Sequence, residues 1–160
     1  MNISLEYRND THRPILDTFT LPTDQEKYTT LPKDMDDPLP EGVHPIVVVE
    51  QKPVGMFLLH DNERVASYTD EPHALLFSAF AINEADQGKG YAKAALQELP
   101  KFVRQHFPHI REVVLSVNLK NDVAFTLYTT NGWVDTERRI GGPVGEQRIL
   151  SLSICRIDSG

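Results

Sequence analysis

The stretch from Leu75 to Leu96, LLFSAFAINEADQGKGYAKAAL, constrains the fold most, because an apolar run passes through a glycine-rich turn directly into helical periodicity. Leu75, Leu76, Phe77, Phe80 and Ile82 lie in a run without proline or glycine, bounded by Pro72 on one side and by Asn83 and Asp86 on the other. A short apolar run between such breakers predicts a buried strand. From Ala92 onward the apolar positions Ala92, Ala95, Leu96, Leu99, Val103 and Phe107 share one face of a helix. Between the two, Gln87-Gly88-Lys89-Gly90-Tyr91-Ala92 sets two glycines just ahead of the helix. Glycines there free backbone N–H groups to point outward at the positive end of the helix dipole, a site suited to an anion such as a pyrophosphate.

A chain of 160 residues, 40% hydrophobic and 24% charged, predicts a single domain over residues 1–160 with one core. Its formal net charge is −7 and it has no basic run, so no nucleic-acid partner is expected. Cys155 is the only cysteine, which excludes an intramolecular disulfide and a cysteine zinc cluster. His12, His44, His60, His106 and His109 show no paired ligand spacing, and no metal is expected. The opening MNISLEYRND lacks the basic start and apolar stretch of a signal peptide, and no apolar run is long enough to span a bilayer. A soluble, cytoplasmic protein without a membrane partner is the expectation.

Along the chain, Ile3, Leu5 and Tyr7 alternate with polar residues and predict a first strand. Asp10 or Thr11 is placed to cap a short helix through Phe19, with Ile15, Leu16 and Phe19 inward. Leu21 to Gly42 reads as loop, with a short helix at Thr23-Asp24-Gln25-Glu26 and an acidic stretch of Asp34, Asp36, Asp37 and Glu41 that could wall a site for a cationic substrate. Pro45 to Val49 and Val54 to Leu59 predict a hairpin, and His60 to His73 a polar loop. The helix from Tyr91 or Ala92 to about His106 carries Pro100, which predicts a kink. Val113 to Val117 predicts a strand, Asn121 or Asp122 to Thr130 a helix closed by Asn131-Gly132, and Trp133 to Ile140 with Gln147 to Cys155 a final hairpin. The strands flanking the long helix must be parallel, because a strand-helix-strand unit crosses over; the hairpins make the remainder antiparallel. The fold class is therefore α+β, with a mixed, mostly antiparallel sheet of about seven strands flanked by helices.

Gln87-x-x-Gly90-x-Ala92 at a strand-to-helix junction, followed by Asn118, Asn121, Ala124, Tyr128 and Gly132-Trp133, resembles the GCN5-related N-acetyltransferase (GNAT) superfamily. The likeness is close over the second half and extends to the whole chain in element order. Gln87 stands where arginine is commoner, Ala92 where a second glycine is commoner, and Trp133 replaces a frequent phenylalanine. Rival phosphate motifs fail on the same residues. Gly90 is followed by Tyr91 rather than the Lys-Ser/Thr of a P-loop, and the dinucleotide pattern beginning at Gly88 ends on Lys93 instead of glycine.

The resemblance implies a splayed parallel strand pair holding acetyl-CoA as acyl donor. Backbone N–H groups from Gln87, Gly88, Lys89, Gly90, Tyr91 and Ala92 would cradle its pyrophosphate. Exposed backbone of Phe80, Ala81 and Ile82 would pair with the pantetheine arm and stabilise the oxyanion. Asn118 and Asn121 would bond its amides, and the small Ala124 would let the arm pass. Tyr128 would protonate the departing thiolate as general acid. The base for the amine is not identified by pattern; Glu84, just past the strand, is the candidate carried forward. The implied activity is direct transfer of acetyl to a primary amine in a ternary complex, with Cys155 a bystander. The acidic stretch turns the substrate expectation toward a small-molecule diamine or polyamine. Two alternatives stand beside it: a peptide or protein amine as acceptor, and an acyl-CoA-binding sensor or interaction module without turnover. A homodimer through the last two strands is also implied.

Overall fold

Every strand expected from apolar patterning is present in the computed structural model, which describes residues 2–154. The strands are β1 (Ser4–Tyr7), β2 (Val43–Glu50), β3 (Lys52–His60), β4 (Ala74–Ile82), β5 (Glu112–Asn118), β6 (Val134–Gly142) and β7 (Gly145–Ser153). They form one sheet in the order β1-β2-β3-β4-β5-β7-β6. The helices are α1 (Arg13–Leu16), α2 (Thr23–Glu26), α3 (Tyr91–His106) and α4 (Asp122–Thr129). The fold is α+β, as expected, and β4 with β5 is its parallel pair. That pair is joined through α3, whose length carries the chain back across the sheet.

The pairing of β4 with β5 is brief. Ala74, Leu75 and Leu76 sit opposite Glu112, Val113 and Val114, and beyond Leu76 the two strands separate. On its other edge β4 stays paired with β3 as far as Ile82, interrupted by an irregularity between Met56 and Leu58. Ala79 occupies this bulge with φ of 54°, a left-handed conformation that is costly for a residue with a Cβ. A bulge bends and re-aims the strand, so β4 leaves its parallel neighbour while remaining tied to β3.

Both sheet faces are covered. Beneath α3 and α4, Phe57, Leu75, Phe77, Leu115 and Trp133 pack with Leu96, Leu99 and Val103 of α3. The opposite face holds Leu16, Phe19, Leu21 and Leu31 against Val47, Met56, Leu58 and Ala81. The segment from Leu21 to Gly42 is thus anchored by apolar side chains at its start and middle, although its acidic residues are exposed. Pro100 does not interrupt α3, and Leu99 and Val103 on either side of it are fully buried, so the apolar phase persists across the proline.

Several local expectations are corrected. Neither Asp10 nor Thr11 caps α1; Asn9 Oδ1 instead accepts from the N–H groups of Thr11 and His12, and the helix begins only after that turn. With one helical turn, Leu16 and Phe19 point inward while Ile15 is turned out at 36% exposure. The stretch after β3 is more ordered than its polarity suggested. Asn62 Oδ1 caps a 3-10 helix, Glu63–Ser67, that buries Val65. The last strand ends at Ser153, and Cys155 lies outside the described residues.

Candidate active site

Separation of β4 from β5 opens a cavity of about 820 Å³. Its walls are the strand ends Phe77 to Ile82 and Leu115 to Asn118, the start of α3, the inner side of α4, the hairpin turn Pro143-Val144, and α2 with Lys27, Tyr28 and Thr29. Since Leu21 and Leu31, which bracket α2, belong to the opposite core face, the cavity is walled from one side of the sheet by α3 and α4 and from the other by α2.

The glycine loop opens onto this cavity. Gly88 and Gly90 have φ of 79° and 86°, in the left-handed region where a side chain would be strained. Gly90 is the N-cap of α3 and supplies no capping side chain, so the first-turn N–H groups of the helix lack that partner at the cavity wall. Gln87, Gly88, Gly90, Tyr91 and Ala92 all line the cavity, whereas Lys89 does not. Its Nζ is 3.9 Å from Oδ1 of buried Asp86, which Lys52 also approaches at 3.8 Å. The cations on the wall are instead Lys27, Lys93 and Lys120, which the motif did not single out. Lys93 had a legible signal, since it sits in the first turn of α3 three residues after Gly90.

Phe80, Ala81 and Ile82 line the cavity, and their edge toward β5 is not taken up by that strand. Across the sheet Ile82 faces Gly55, where a Cβ would come within 2.5 Å of Ile82 Cδ1. Glycine is therefore required for β3 to approach the cavity strand closely. Ala124, Leu127 and Tyr128 present the α4 wall. The Tyr128 ring lies 6.2 Å from Phe77 and 5.7 Å from Trp133, centroid to centroid. Desolvation raises its pKa well above the ordinary tyrosine value, so the hydroxyl keeps its proton.

Asn118 and Asn121 line the cavity but are engaged locally. Asn121 Oδ1 accepts from the Ala124 N–H at 3.2 Å and so caps α4. Asn118 donates through Nδ2 to the Val144 carbonyl at 3.1 Å and accepts from the Lys120 N–H at 2.9 Å. These asparagines hold α4 and the hairpin turn at the cavity wall, a job the spacing did not reveal.

Glu84 is corrected. It lies in the 3-10 turn Glu84–Asp86, is exposed, accepts from Thr20 Oγ1 at 3.3 Å and does not line the cavity. The acidic stretch is corrected as well: Asp34, Asp36, Asp37 and Glu41 are absent from the wall, and Asp37 pairs with Arg13 at 3.2 Å. Among the described residues lining the cavity there is no glutamate or histidine. Ser78 is a wall residue that no motif singles out; its Oγ lies 2.6 Å from Nε2 of His60. His60 is 4% exposed, and its pKa is lowered to about 4, first by burial and then by Arg64 and His44. The imidazole is therefore neutral at physiological pH. No group of three or more metal-ligating side chains is gathered among the described residues, and no helix there is long and apolar enough to cross a membrane.

A family model described as the Acetyltransferase (GNAT) family matches residues 11–133. The chain belongs to this family. As a GNAT protein it is an N-acetyltransferase by class. It is 41% identical over 156 residues to the uncharacterized N-acetyltransferase YbbJ of Bacillus subtilis (strain 168), a match covering 93% of this chain and 96% of that protein. Among solved structures, AAC(6')-Ib in complex with paromomycin and acetyl-CoA superposes with a TM-score of 0.75 at 14% identity, covering 96% of this chain and 94% of the other. Spermidine N-acetyltransferase from Vibrio cholerae, in complex with CoA and spermine, gives 0.67 at 16% identity, with 95% of each chain covered. At these identities the structural likenesses establish the GNAT fold and leave the acceptor open.

Proposed function

We propose that this GNAT chain transfers the acetyl group of acetyl-CoA directly to a small primary amine in a ternary complex. The observation that carries the reading is the cleft between β4 and β5, with an unshielded helix N-terminus at one end and a protonated Tyr128 on its wall. Backbone N–H groups of Gly88 to Ala92 hold the pyrophosphate, with Lys93 and Lys120 nearby on the wall; the Gln87 N–H, expected among them, donates instead to the Glu84 carbonyl at 3.3 Å. The pantetheine arm lies along Phe80, Ala81 and Ile82 on the edge that β5 leaves, where the Ile82 carbonyl already accepts from Gln87 Nε2.

The neutral amine nitrogen attacks the thioester carbonyl carbon, and the oxyanion is stabilised by a backbone N–H of the same strand. Collapse breaks the carbon–sulfur bond; Tyr128 gives its proton to the leaving sulfur and regains one from solvent. An amine of ordinary pKa near 10.4 costs about 4.6 kcal/mol to deprotonate at pH 7. With Glu84 off the wall, water in the cleft takes the proton in this reading and passes it to solvent or to a wall carboxylate, of which Asp24 stands on the α2 side.

The α2 side receives the amine. Its wall carries Asp24, Lys27, Tyr28 and Thr29, and the acidic stretch that favoured polyamines stands outside it. A mixed wall fits a monoamine with a polar body as well as a diamine. The wall's carboxylates are Asp24, Asp86 and Asp122; a second reading, in which acetyl-CoA is bound without turnover, is separated from transfer by assay.

Release of free thiol from acetyl-CoA tests both. The panel contains spermidine, an aminoglycoside, a simple alkylamine and a peptide with a free N-terminus, each with the parent and with Tyr128→Phe. Amine-dependent release that falls in the variant supports transfer. Binding of acetyl-CoA with no amine accelerating release favours the binding module, and failure to bind removes the acetyl-CoA reading.

A further inference from the structure

Two segments distant in the chain are stitched together, and Gln25 and Gln87 of that seam stand on the cavity wall. The Thr20 N–H donates to Asn83 Oδ1 at 3.0 Å, and the Glu84 N–H donates to the Thr20 carbonyl at 2.9 Å. Farther along, Gln25 and Gln87, 62 positions apart, exchange amide hydrogen bonds. Gln25 Nε2 donates to Gln87 Oε1 at 3.3 Å, and Gln87 Nε2 donates to Gln25 Oε1 at 3.1 Å. Gln87 Nε2 also donates to the Ile82 carbonyl at 2.8 Å, where β4 ends.

One end of this connection is the first residue of the glycine loop. The other is α2, a four-residue helix without a capping side chain, which has little stability of its own. Its place is set by what it is attached to. Tyr28 and Thr29, immediately after it, form the far wall of the cavity.

We propose that Gln25 is a positioning residue coupling the two halves of the site: CoA held by the glycine loop orders α2 and the Tyr28-Thr29 wall through the Gln25–Gln87 amide pair. The proposal rests on the CoA reading given above. A pyrophosphate on the loop N–H groups restrains the Gln87 backbone. Gln87 then offers Gln25 a donor and an acceptor whose ordering cost has already been met, and the coupling is reciprocal. The pair requires an amide at position 87. Glutamine supplies both the donor and the acceptor that Gln25 uses, which a side chain with donors alone cannot do.

Hydrogen–deuterium exchange of the full chain, with and without CoA, tests this. The relevant amides include Gln25, Glu26 and Tyr28, which donate to Pro22 and Gln25 carbonyls in α2 and its exit. In the parent, CoA slows exchange in peptides covering 23–29 as well as 87–92. In Gln25→Leu the slowing at 87–92 persists, while that at 23–29 falls by about tenfold, the scale of two net hydrogen bonds. Equal slowing at 23–29 in parent and variant overturns the proposal. So does a parent in which 87–92 responds and 23–29 does not. A parent with no response at 87–92 and no calorimetric binding of CoA overturns the CoA reading first, and the coupling with it.

Discussion

Tyr128, half-buried on the cavity wall, and His60, buried beside Ser78, are both titratable, and desolvation favours the neutral form of each. For Tyr128 that form is the acid. General acids contribute on the order of 10²-fold or more, so Tyr128→Phe should lower kcat for thiol release by about 100-fold. Calorimetry should find CoA still bound, because the ring packing is retained. The raised pKa also predicts that the tyrosine does not shut the reaction down by ionising as pH passes its ordinary value of 10.0. For His60 the consequence is stability. Its pKa is depressed in the folded state, so the unfolded chain binds the extra proton between about 4 and 6.5. Stability is full above 6.5 and is lost as pH falls toward 4, by about 3 kcal/mol from this group. Urea unfolding of the parent at pH 7 and pH 4.5 should show a larger decrease than His60→Gln does. Equal decreases would show that His60 is not the titrating group.

The elements around the cavity are held by contacts that no single element contains. β4 and β3 meet so closely at Gly55 that a methyl group would strike Ile82 Cδ1 and the Ala81 carbonyl. Gly55→Ala should push the cavity strand outward and weaken CoA binding by about tenfold, about 1.4 kcal/mol, when titrated calorimetrically. An unchanged affinity would mean that the edge of Ala81 and Ile82 is not part of the cofactor site. The β6–β7 hairpin is tied to the end of β5 by Asn118, which bonds both Val144 and Lys120. Asn118→Ala leaves the Lys120 N–H and the Val144 carbonyl without that partner. It should destabilise the fold by about 1–2 kcal/mol in urea.

On the scale of the molecule, one sheet carries every strand, and cores on both of its faces share β3 and β4. Residues 1–160 are therefore proposed to unfold as one cooperative unit, visible as a single thermal transition. CoA at about 100 times its dissociation constant should stabilise that unit by about 2.7 kcal/mol. For a chain of this size the midpoint should rise by roughly 5–10 °C. Two transitions, only one shifted by CoA, would contradict the single unit.

Strands and long helices were legible because their cause is local. Periods of two and 3.6 place Leu5 and Tyr7, or Leu99 and Val103, on one face whatever lies opposite. Glycine at 88 and 90 likewise declares a left-handed turn before any partner is known. Short elements were less legible: one turn of α1 is too little to impose a face on Ile15, and the polar stretch after β3 gained its order from burying Val65. Within the site, the glycine loop is visible in the torsional demands of the chain itself, whereas Tyr128 was named through the family resemblance; both stand on the cavity wall. Glu84 and Asn118 took bonds from Thr20 and Val144, far along the chain, which spacing does not specify, whereas Lys89 and Asn121 bond to Asp86 and Ala124, three residues away. The residues alone determined the strand, glycine loop and helix from Leu75 to Leu96, since torsional freedom and apolar periodicity are properties of the chain itself. Only the tertiary structure decided that β4 leaves β5 after Leu76, that Glu84 faces Thr20, and that Gln25 meets Gln87. Those outcomes depend on distances between segments dozens of residues apart, which packing sets and local sequence does not encode.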